Sequence, residues 1–295
     1  MEKLINTIRE IPKDKSVFVF DLDGTLAESK VNIDSEMGGL LAQLLERGKV
    51  AIIGGAKFEQ MRSQLPENIN KNSNLFLLPL DGGSFYTYPS TSSLDSARDK
   101  SGQVQDNNWP GSRTSGSSAD SEIPEVSLPG WHEMYSHKLS DDEVKKIKDS
   151  FEKVFEEIGY IQSSKIYGEI IENRGGQVTF SPLGQHAPLE KKEKWAKENN
   201  DVRVKIESKV KGYLPEMEVK IAGLTSIDVT QKGIDKKFGI EQIIKHLGVK
   251  AEDILFFGDA IEPDENDYPA LESGVVCYKV NSVQDTKDAI KHLLD

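Results

Sequence analysis

A chain of 295 residues with 37% hydrophobic content has room for one large domain or two ordinary ones. Its 49 acidic residues outnumber 37 basic ones for a net charge of −12, and with no basic block this argues against a nucleic-acid partner and means that an anionic substrate needs local cations. No apolar run is long enough for a membrane span, the stretch MEKLINTIREIPKDK is too charged for a signal peptide, and the one cysteine, Cys277, lies in the apolar run GVVCY, so the reading is no membrane partner, no internal disulfide and a cytoplasmic setting.

Val17 to Phe20 is a continuous apolar run, expected as a strand buried on both faces of a parallel sheet. It ends in two acids, Asp21 and Asp23, with Gly24 and Thr25 behind them. Carboxylates one residue apart at the exit of a buried strand are costly unless a cation sits there. The carboxyl ends of strands in open parallel sheets are also where ligands bind. The physical reading is a metal and phosphate site, one acid serving as nucleophile or ligand and the other as proton carrier. An acidic strand-to-turn junction is the competing reading.

Asp34 then opens a helix with Met37, Leu40, Leu41, Leu44 and Leu45 on one face, ended by Gly48. Val50 to Ile53 is a second strand closing in Gly54 and Gly55, FEQMRSQL a short helix, and Leu75 to Leu78 a third strand, after which Asp81-Gly82-Gly83 breaks the pattern. From about Pro89 to Gly130 the chain is dense in Ser, Gly, Asp and Asn, a long surface loop or disordered insertion in which only Trp109 is suited to docking. Ser140 with Glu143 forms a capping box for a helix to about Ile158, stopped by Gly159. EIIENRGGQVTFSPL reads as a hairpin, charged helices follow over 189–199 and 202–212, and VKIAG and SIDVTQ read as strands joined at Gly223. Lacking long parallel runs, this middle region is expected as a separate antiparallel α+β unit.

From Gly233 the first style resumes. Ile234, Phe238, Ile243, Ile244 and Leu247 line a helix ended by Gly248; Ile254 to Phe257 is a fourth buried strand ending in Gly258-Asp259; Val275 to Val280 is a fifth; a last helix runs from about Asp285. The expected fold class is α/β, a parallel-sheet core of residues 1–82 and 230–295 with an inserted α+β cap over 83–229.

Phosphoryl transfer is mostly positioning and charge neutralisation. Asp21 suits the nucleophile, and Gly54, Gly55 and Ala56 suit a phosphate cradle opening a helix. Lys236, near a helix start, could offset charge on the phosphate and on Asp21. Asp259 suits an oxygen-ligated metal such as Mg²⁺, with Asn266 and Asp267 on the same loop.

DLDGT after an apolar strand, the paired glycines, GIDK and GDAIEPDEND resemble the motifs of the haloacid dehalogenase (HAD) superfamily of phosphoryl-transfer enzymes. DVTQKGIDK, RGGQVTFSPLG and FFGDAIEPDENDYP are similar to eukaryotic-type phosphomannomutases and their bacterial relatives, a resemblance covering nearly the whole chain except about 89–130. The resemblance implies a Rossmann-like core in which Asp21 is the phosphorylated nucleophile, Asp23 the general acid/base, and Lys236 a catalytic partner. It implies Mg²⁺ on Asp21, the main-chain carbonyl of Asp23, and Asp259, with Asp267 beside them. Thr25, Gly54, Gly55 and Asn266 fall on phosphate-binding positions. A sheet-type cap would carry Arg174, Gln185, Ser226 and Asp228 toward a sugar phosphate, and a homodimer through the cap is expected.

The chain departs from that pattern at Gln185, where the mutases have arginine, near Lys192, where they have another, and at Ala56, which replaces a serine. Glutamine cannot make arginine's bidentate contacts and lysine makes them poorly. The expected activity is therefore hydrolysis of a sugar phosphate through an aspartyl-phosphate. The alternative is a phosphomannomutase interconverting mannose 1-phosphate and mannose 6-phosphate. A non-catalytic binding protein on the same fold is the weakest reading, because Asp21, Asp23, Lys236 and Asp259 are all present.

Overall fold

The computed structural model describes residues 3–29, 31–89 and 130–295. The insertion expected at about 89–130, Trp109 included, lies outside the described residues but for its two ends.

In chain order the elements are β1 (Lys3–Ile5), β2 (Val17–Asp21), α1 (Ser35–Arg47), β3 (Lys49–Gly54), α2 (Phe58–Gln64), β4 (Leu75–Pro79), β5 (Ser84–Thr87) and β6 (His132–Ser136). The middle of the chain adds α3 (Asp141–Ile158), β7 (Ile171–Asn173), β8 (Gln177–Phe180), α4 (Leu189–Tyr213), β9 (Met217–Ala222) and β10 (Ser226–Gln231). The last part adds α5 (Lys236–Leu247), β11 (Ile254–Gly258), α6 (Tyr268–Glu272), β12 (Val276–Lys279) and α7 (Val283–Leu294).

Eight strands form one sheet in the order β1-β12-β11-β2-β3-β4-β5-β6. The first six run parallel, and β5 and β6 extend the edge antiparallel. Alternate residues of the apolar runs face opposite layers. Phe18, Phe20, Ile52 and Phe257 pack with Leu41 and Leu44 of α1 and Ile290 of α7. Val17, Val19, Ile53 and Phe256 pack with Ile240 and Ile243 of α5 and Ala270 of α6. With both faces covered, every position of these strands must be apolar, which is why they read as unbroken runs. Phe20 and Phe257 stack at 4.5 Å between ring centres, a contact of about 0.5–1.5 kcal/mol that fixes β2 against β11.

Local signals act as expected around α1. Asp34 Oδ1 accepts from the Met37 amide at 2.8 Å, and Gly48 ends the helix where a Cβ would stand 2.5 Å from the Ser16 carbonyl oxygen. The capping box of Ser140 and Glu143 opens α3, and Gly159 closes it at φ +64°. The two charged helices expected over 189–199 and 202–212 are one element, α4, with a break at Asn199 (φ −133°, ψ 19°). Among the described residues no helix is long and apolar enough to cross a membrane.

One boundary moves. The expected cap began at residue 83, but β5 and β6 are hydrogen-bonded to the parallel sheet. Phe85 explains the attachment, packing edge-on between Phe76 of β4 and Tyr135 of β6. The second sheet, β7-β8-β10-β9, is antiparallel throughout. One of its faces places Val178, Phe180, Ile227 and Val229 against Phe151 of α3 and Ile206 and Val210 of α4. The alternate positions, Gln177, Thr179, Asp228 and Thr230, are polar and equally buried. A polar sheet face that is nonetheless covered calls for a polar neighbour, and that neighbour is the core's strand-end loops.

Candidate active site

The chain winds from β2 through β3 to β4 on one side and reaches β11 and β12 on the other. β2 and β11 are thus adjacent across the point where the strand order reverses, the position where open α/β sheets bind ligands. Phe20 lies opposite Phe257, so Asp21 and Asp259 leave the sheet side by side. A cleft of about 610 Å³ opens there, lined by Asp21, Asp23, Gly54, Gly55 and Asp259 below and by Arg174, Ser226 and Asp228 above.

Lys236, at the first position of α5, is fully buried behind Asp21, a residue of the cleft wall. Its Nζ donates to Asp21 Oδ1 at 2.6 Å and to Asp267 Oδ1. Asp267 is itself fixed from behind, Oδ2 accepting from the Ala260 amide at 3.1 Å. Gly258 gives it room, since a Cβ there would meet Asp267 Oδ2 at 2.4 Å. Gly24 does the same for Asp259: it adopts φ +91°, and a Cβ would stand 2.5 Å from Asp259 Oδ2.

Burial raises the Asp21 carboxyl well above the ordinary range; Lys236 pulls it down, while Asp267 and Asp259 add to the rise. Burial by itself would lower Lys236, but Asp21, Asp267 and Asp81 hold it protonated, well above a usual lysine. Asp259 opens to solvent through the cleft, yet the walls around it and the charge of Asp267 raise its carboxyl to about 6. Four carboxylates thus surround one ammonium. The excess negative charge, in an all-oxygen donor set, fits a hard divalent cation. One carboxylate oxygen from each of Asp21, Asp259 and Asp267 lies within 4.8 Å of the others, close enough to share one ion. Buried orphans point the same way toward a ligand: Thr25 Oγ1 and Asp81 Oδ1 have no hydrogen-bond partner among the described residues.

The cap side is built by alternation. Ser226 Oγ lies 3.1 Å from Ser181 Oγ, and Asp228 comes down beside Gly55, its Oδ2 being 3.3 Å from where a Gly55 Cβ would be. Arg174 spans the two sheets, with Nε on Glu172 Oε2 at 2.8 Å and Nη1 on the Gly55 carbonyl at 2.9 Å. Glu172 also pairs with Lys57 of the core at 2.5 Å.

Two expectations change. Gly54 and Gly55 line the cleft, but α2 starts only at Phe58 with Lys57 as its cap, so they do not themselves open the helix. Gln185 is not among the residues lining the cleft. Its side chain stands by the Gly168 turn, and its carbonyl accepts from Lys192 Nζ at 3.3 Å. Asn266 and Lys192 do line the cleft.

The sequence reading missed Asp81, which it took only as a break in the pattern. Leu80, Asp81 and Gly82 run through the left-handed region at φ 56°, 54° and 93°, costly for the first two by about 1–3 kcal/mol each. The reversal turns the chain from β4 into antiparallel β5 and aims the Asp81 carboxylate at the cleft. A left-handed Leu before Asp-Gly leaves no signal in composition. Lys57 and Glu172 were missed for a different reason, since nothing local marks a pair 115 positions apart in the chain.

Residues 132–295 match the profile of the eukaryotic phosphomannomutase family. The chain is 25% identical over 259 residues to a phosphomannomutase of Encephalitozoon cuniculi, covering 86% of this chain and 84% of that one. It is 24% identical over 289 residues to the Saccharomyces cerevisiae phosphomannomutase, covering 96% of each. Among solved structures it resembles an IMP-bound IMP-nucleotidase of Plasmodium falciparum (TM-score 0.61, 14% identity, 97% of this chain and 70% of that one). It also resembles a haloacid dehalogenase-like hydrolase of Bacteroides thetaiotaomicron (TM-score 0.53, 13% identity, 94% and 98%). At these identities the structures speak for the fold alone. With more than half its length matched by the family profile, and with a HAD-type core and an inserted antiparallel cap, the chain belongs to the eukaryotic phosphomannomutase family.

Proposed function

We propose that the chain moves a phosphoryl group on a hexose phosphate by way of Asp21, interconverting mannose 1-phosphate and mannose 6-phosphate. The observation that carries this is the pairing of Asp21 with the buried Lys236 on the floor of a cleft roofed by the polar face of the cap sheet. Asp21 attacks phosphorus, its new P–O bond forming as the bond from phosphorus to the sugar oxygen breaks, while Asp23 gives a proton to the leaving oxygen. In the transfer step a hydroxyl of a hexose monophosphate attacks the phosphoryl group on Asp21, the bond from Asp21 to phosphorus breaks as the new one forms, and Asp23 takes up the hydroxyl proton, leaving a bisphosphate whose other phosphate is next presented to Asp21. Lys236 keeps Asp21 oriented and offsets charge on the phosphoryl oxygens. Mg²⁺ held by Asp21, Asp259, Asp267 and the carbonyl of Asp23 would polarise those oxygens and neutralise their charge. Thr25, Gly54, Gly55 and Asn266 border the transferred group, and Arg174, Ser226 and Asp228 face the sugar.

Hydrolysis, the activity expected from Gln185 and Lys192, becomes the second reading. The family match and the names of the relatives support the mutase better. So does the closure of the cap on the core through Arg174 and the Lys57–Glu172 pair, since transfer to a sugar hydroxyl requires that water be kept out. The Gln185 side chain, standing away from the cleft, favours hydrolysis. Incubation with mannose 1-phosphate, Mg²⁺ and a trace of hexose bisphosphate should yield mannose 6-phosphate with little free phosphate. Phosphate release without isomer would overturn the mutase reading and leave the hydrolase.

A further inference from the structure

Three residues, Gly55 to Lys57, join β3 to α2, and they are held from two sides. From the core, the Leu80 amide donates to the Ala56 carbonyl at 3.2 Å and the Met61 amide to the Lys57 carbonyl at 2.9 Å. From the cap, Arg174 Nη1 donates to the Gly55 carbonyl at 2.9 Å, and Glu172 Oε1 lies 2.5 Å from Lys57 Nζ. Glu172 Oε2 accepts from Arg174 Nε at 2.8 Å. These contacts close a ring that runs from Gly55 to Arg174, to Glu172, to Lys57 and back along the chain. Among the described residues neither Lys57 nor Arg174 pairs with any acid other than Glu172.

Two links of the ring depend on the cap lying on the core. The Glu172–Arg174 pair belongs to one hairpin of the cap and survives any movement of the cap as a unit. The Lys57–Glu172 and Arg174–Gly55 contacts cross from cap to core and break when the cap lifts. Glu172 is only 7% exposed, and a buried carboxylate is costly unless cations meet it. Arg174 supplies one cation in any cap position, and Lys57 adds the second only when the cap is down. Neither Lys57 nor Glu172 lines the cleft, whereas Gly55 and Arg174 do. The ion pair therefore acts on the site through those two residues and not by touching a ligand. Closure matters to the chemistry because water competes with the sugar hydroxyl. When water attacks, its oxygen bonds to phosphorus, the bond to Asp21 breaks, Asp23 takes the proton and inorganic phosphate leaves.

We propose that Lys57 and Glu172 are positioning residues for the transfer step: their ion pair locks the cap onto the core, sets Arg174 against Gly55, and so keeps water from the phosphoryl group on Asp21. The inference deepens the phosphoryl-transfer reading above and rests on it.

The test compares the full chain with its Lys57→Met variant, which removes the charge and leaves the Glu172–Arg174 pair in place. The first readout is phenylglyoxal modification of Arg174 without substrate, followed by peptide mass spectrometry. The Arg174 side chain is 6% exposed, so its modification reports lifting of the cap. Lys57→Met should speed it about 3- to 30-fold, the worth of a part-exposed ion pair, and Lys57→Arg should bring the rate back. The second readout is the free phosphate released per isomer formed from mannose 1-phosphate, with Mg²⁺ and a trace of hexose bisphosphate. Lys57→Met should raise that ratio by a similar factor, and Lys57→Arg should lower it again. A merely structural role would lower the melting temperature and leave the ratio where it was. An unchanged Arg174 rate, or an unchanged ratio, would overturn the proposal. If the unaltered protein forms no isomer, the mutase reading fails by itself. The lock then stands or falls on the Arg174 rate, which needs no turnover, so the two failures can be told apart.

Discussion

The two sheets bury polar groups by different rules. In the central core strands β2, β3, β4 and β11, charge appears only where strands end: Asp21 closes β2, Asp259 follows β11, and Lys236 starts α5. The strands themselves are apolar on both faces. In the cap, polarity runs along the strands, with Gln177, Thr179, Asp228 and Thr230 alternating with Val178, Phe180, Ile227 and Val229. The difference has a consequence for function. Each core charge holds another, so the catalytic set stands or falls as a unit. Each polar cap position has an apolar neighbour on the other face that carries the packing, so the face toward the sugar can be altered one residue at a time.

The largest effect should come from the core. Asp21→Asn is expected to lower turnover about 10⁴-fold or more, the scale of nucleophile loss, with no fall in melting temperature, because it removes one of the crowded acids. Retained turnover would place the nucleophile elsewhere. Lys236→Met should abolish activity and also destabilise the fold, by about 3–5 kcal/mol in urea denaturation, because Asp21 and Asp267 would be left buried without their cation. A loss under about 1 kcal/mol would mean that the acids are not charged together.

The cap should answer differently. Gln185→Arg is expected to change bisphosphate affinity by less than about threefold, since position 185 points toward the Gly168 turn. A gain of tenfold or more would show that a side chain at 185 does reach the cleft.

What could be read from the chain alone follows the same division. The strand-end places of Asp21 and Asp259 were legible because an unbroken apolar run that stops near an acid is a strong local signal, whereas Lys236 was legible only from its place near a helix start. β5 and β6 were not, because SFYT and HEMYS are short edge strands separated by the insertion, and only Phe85 packing between Phe76 and Tyr135 joins them to the sheet. Arg203, which lines the cleft from the cap side, was hidden in a helix whose sequence, LEKKEKWAKENNDVRVKIESKVKGY, reads as a solvated surface. Nothing within that run distinguishes the one arginine that meets the β9–β10 turn. Gln185 misled because a motif position was taken for a side-chain direction.

The smallest effect lies at a residue that does not line the cleft. Asp34 caps α1 and accepts from Lys287 of α7 at 2.6 Å. Asp34→Ala should cost about 1 kcal/mol and leave turnover unchanged. The hydrogen bond from Lys287, then that from the Met37 amide, hold the Asp34 carboxyl below its ordinary value. Its contribution is therefore complete above the unfolded value of about 3.9 and is lost as the pH falls through the folded value. The gap between the two proteins should narrow in that acid range; a gap that widened would assign the stabilisation to the neutral acid.

The central claim is that phosphoryl transfer passes through Asp21. Exposing the protein to a hexose 1,6-bisphosphate with Mg²⁺, quenching in acid and mapping the modified peptide by mass spectrometry addresses it directly. The account predicts phosphate on Asp21, in the peptide containing FDLDGT, and none after Asp21→Asn. Phosphate on another residue, or turnover with no phosphorylated peptide at any quench time, would contradict it.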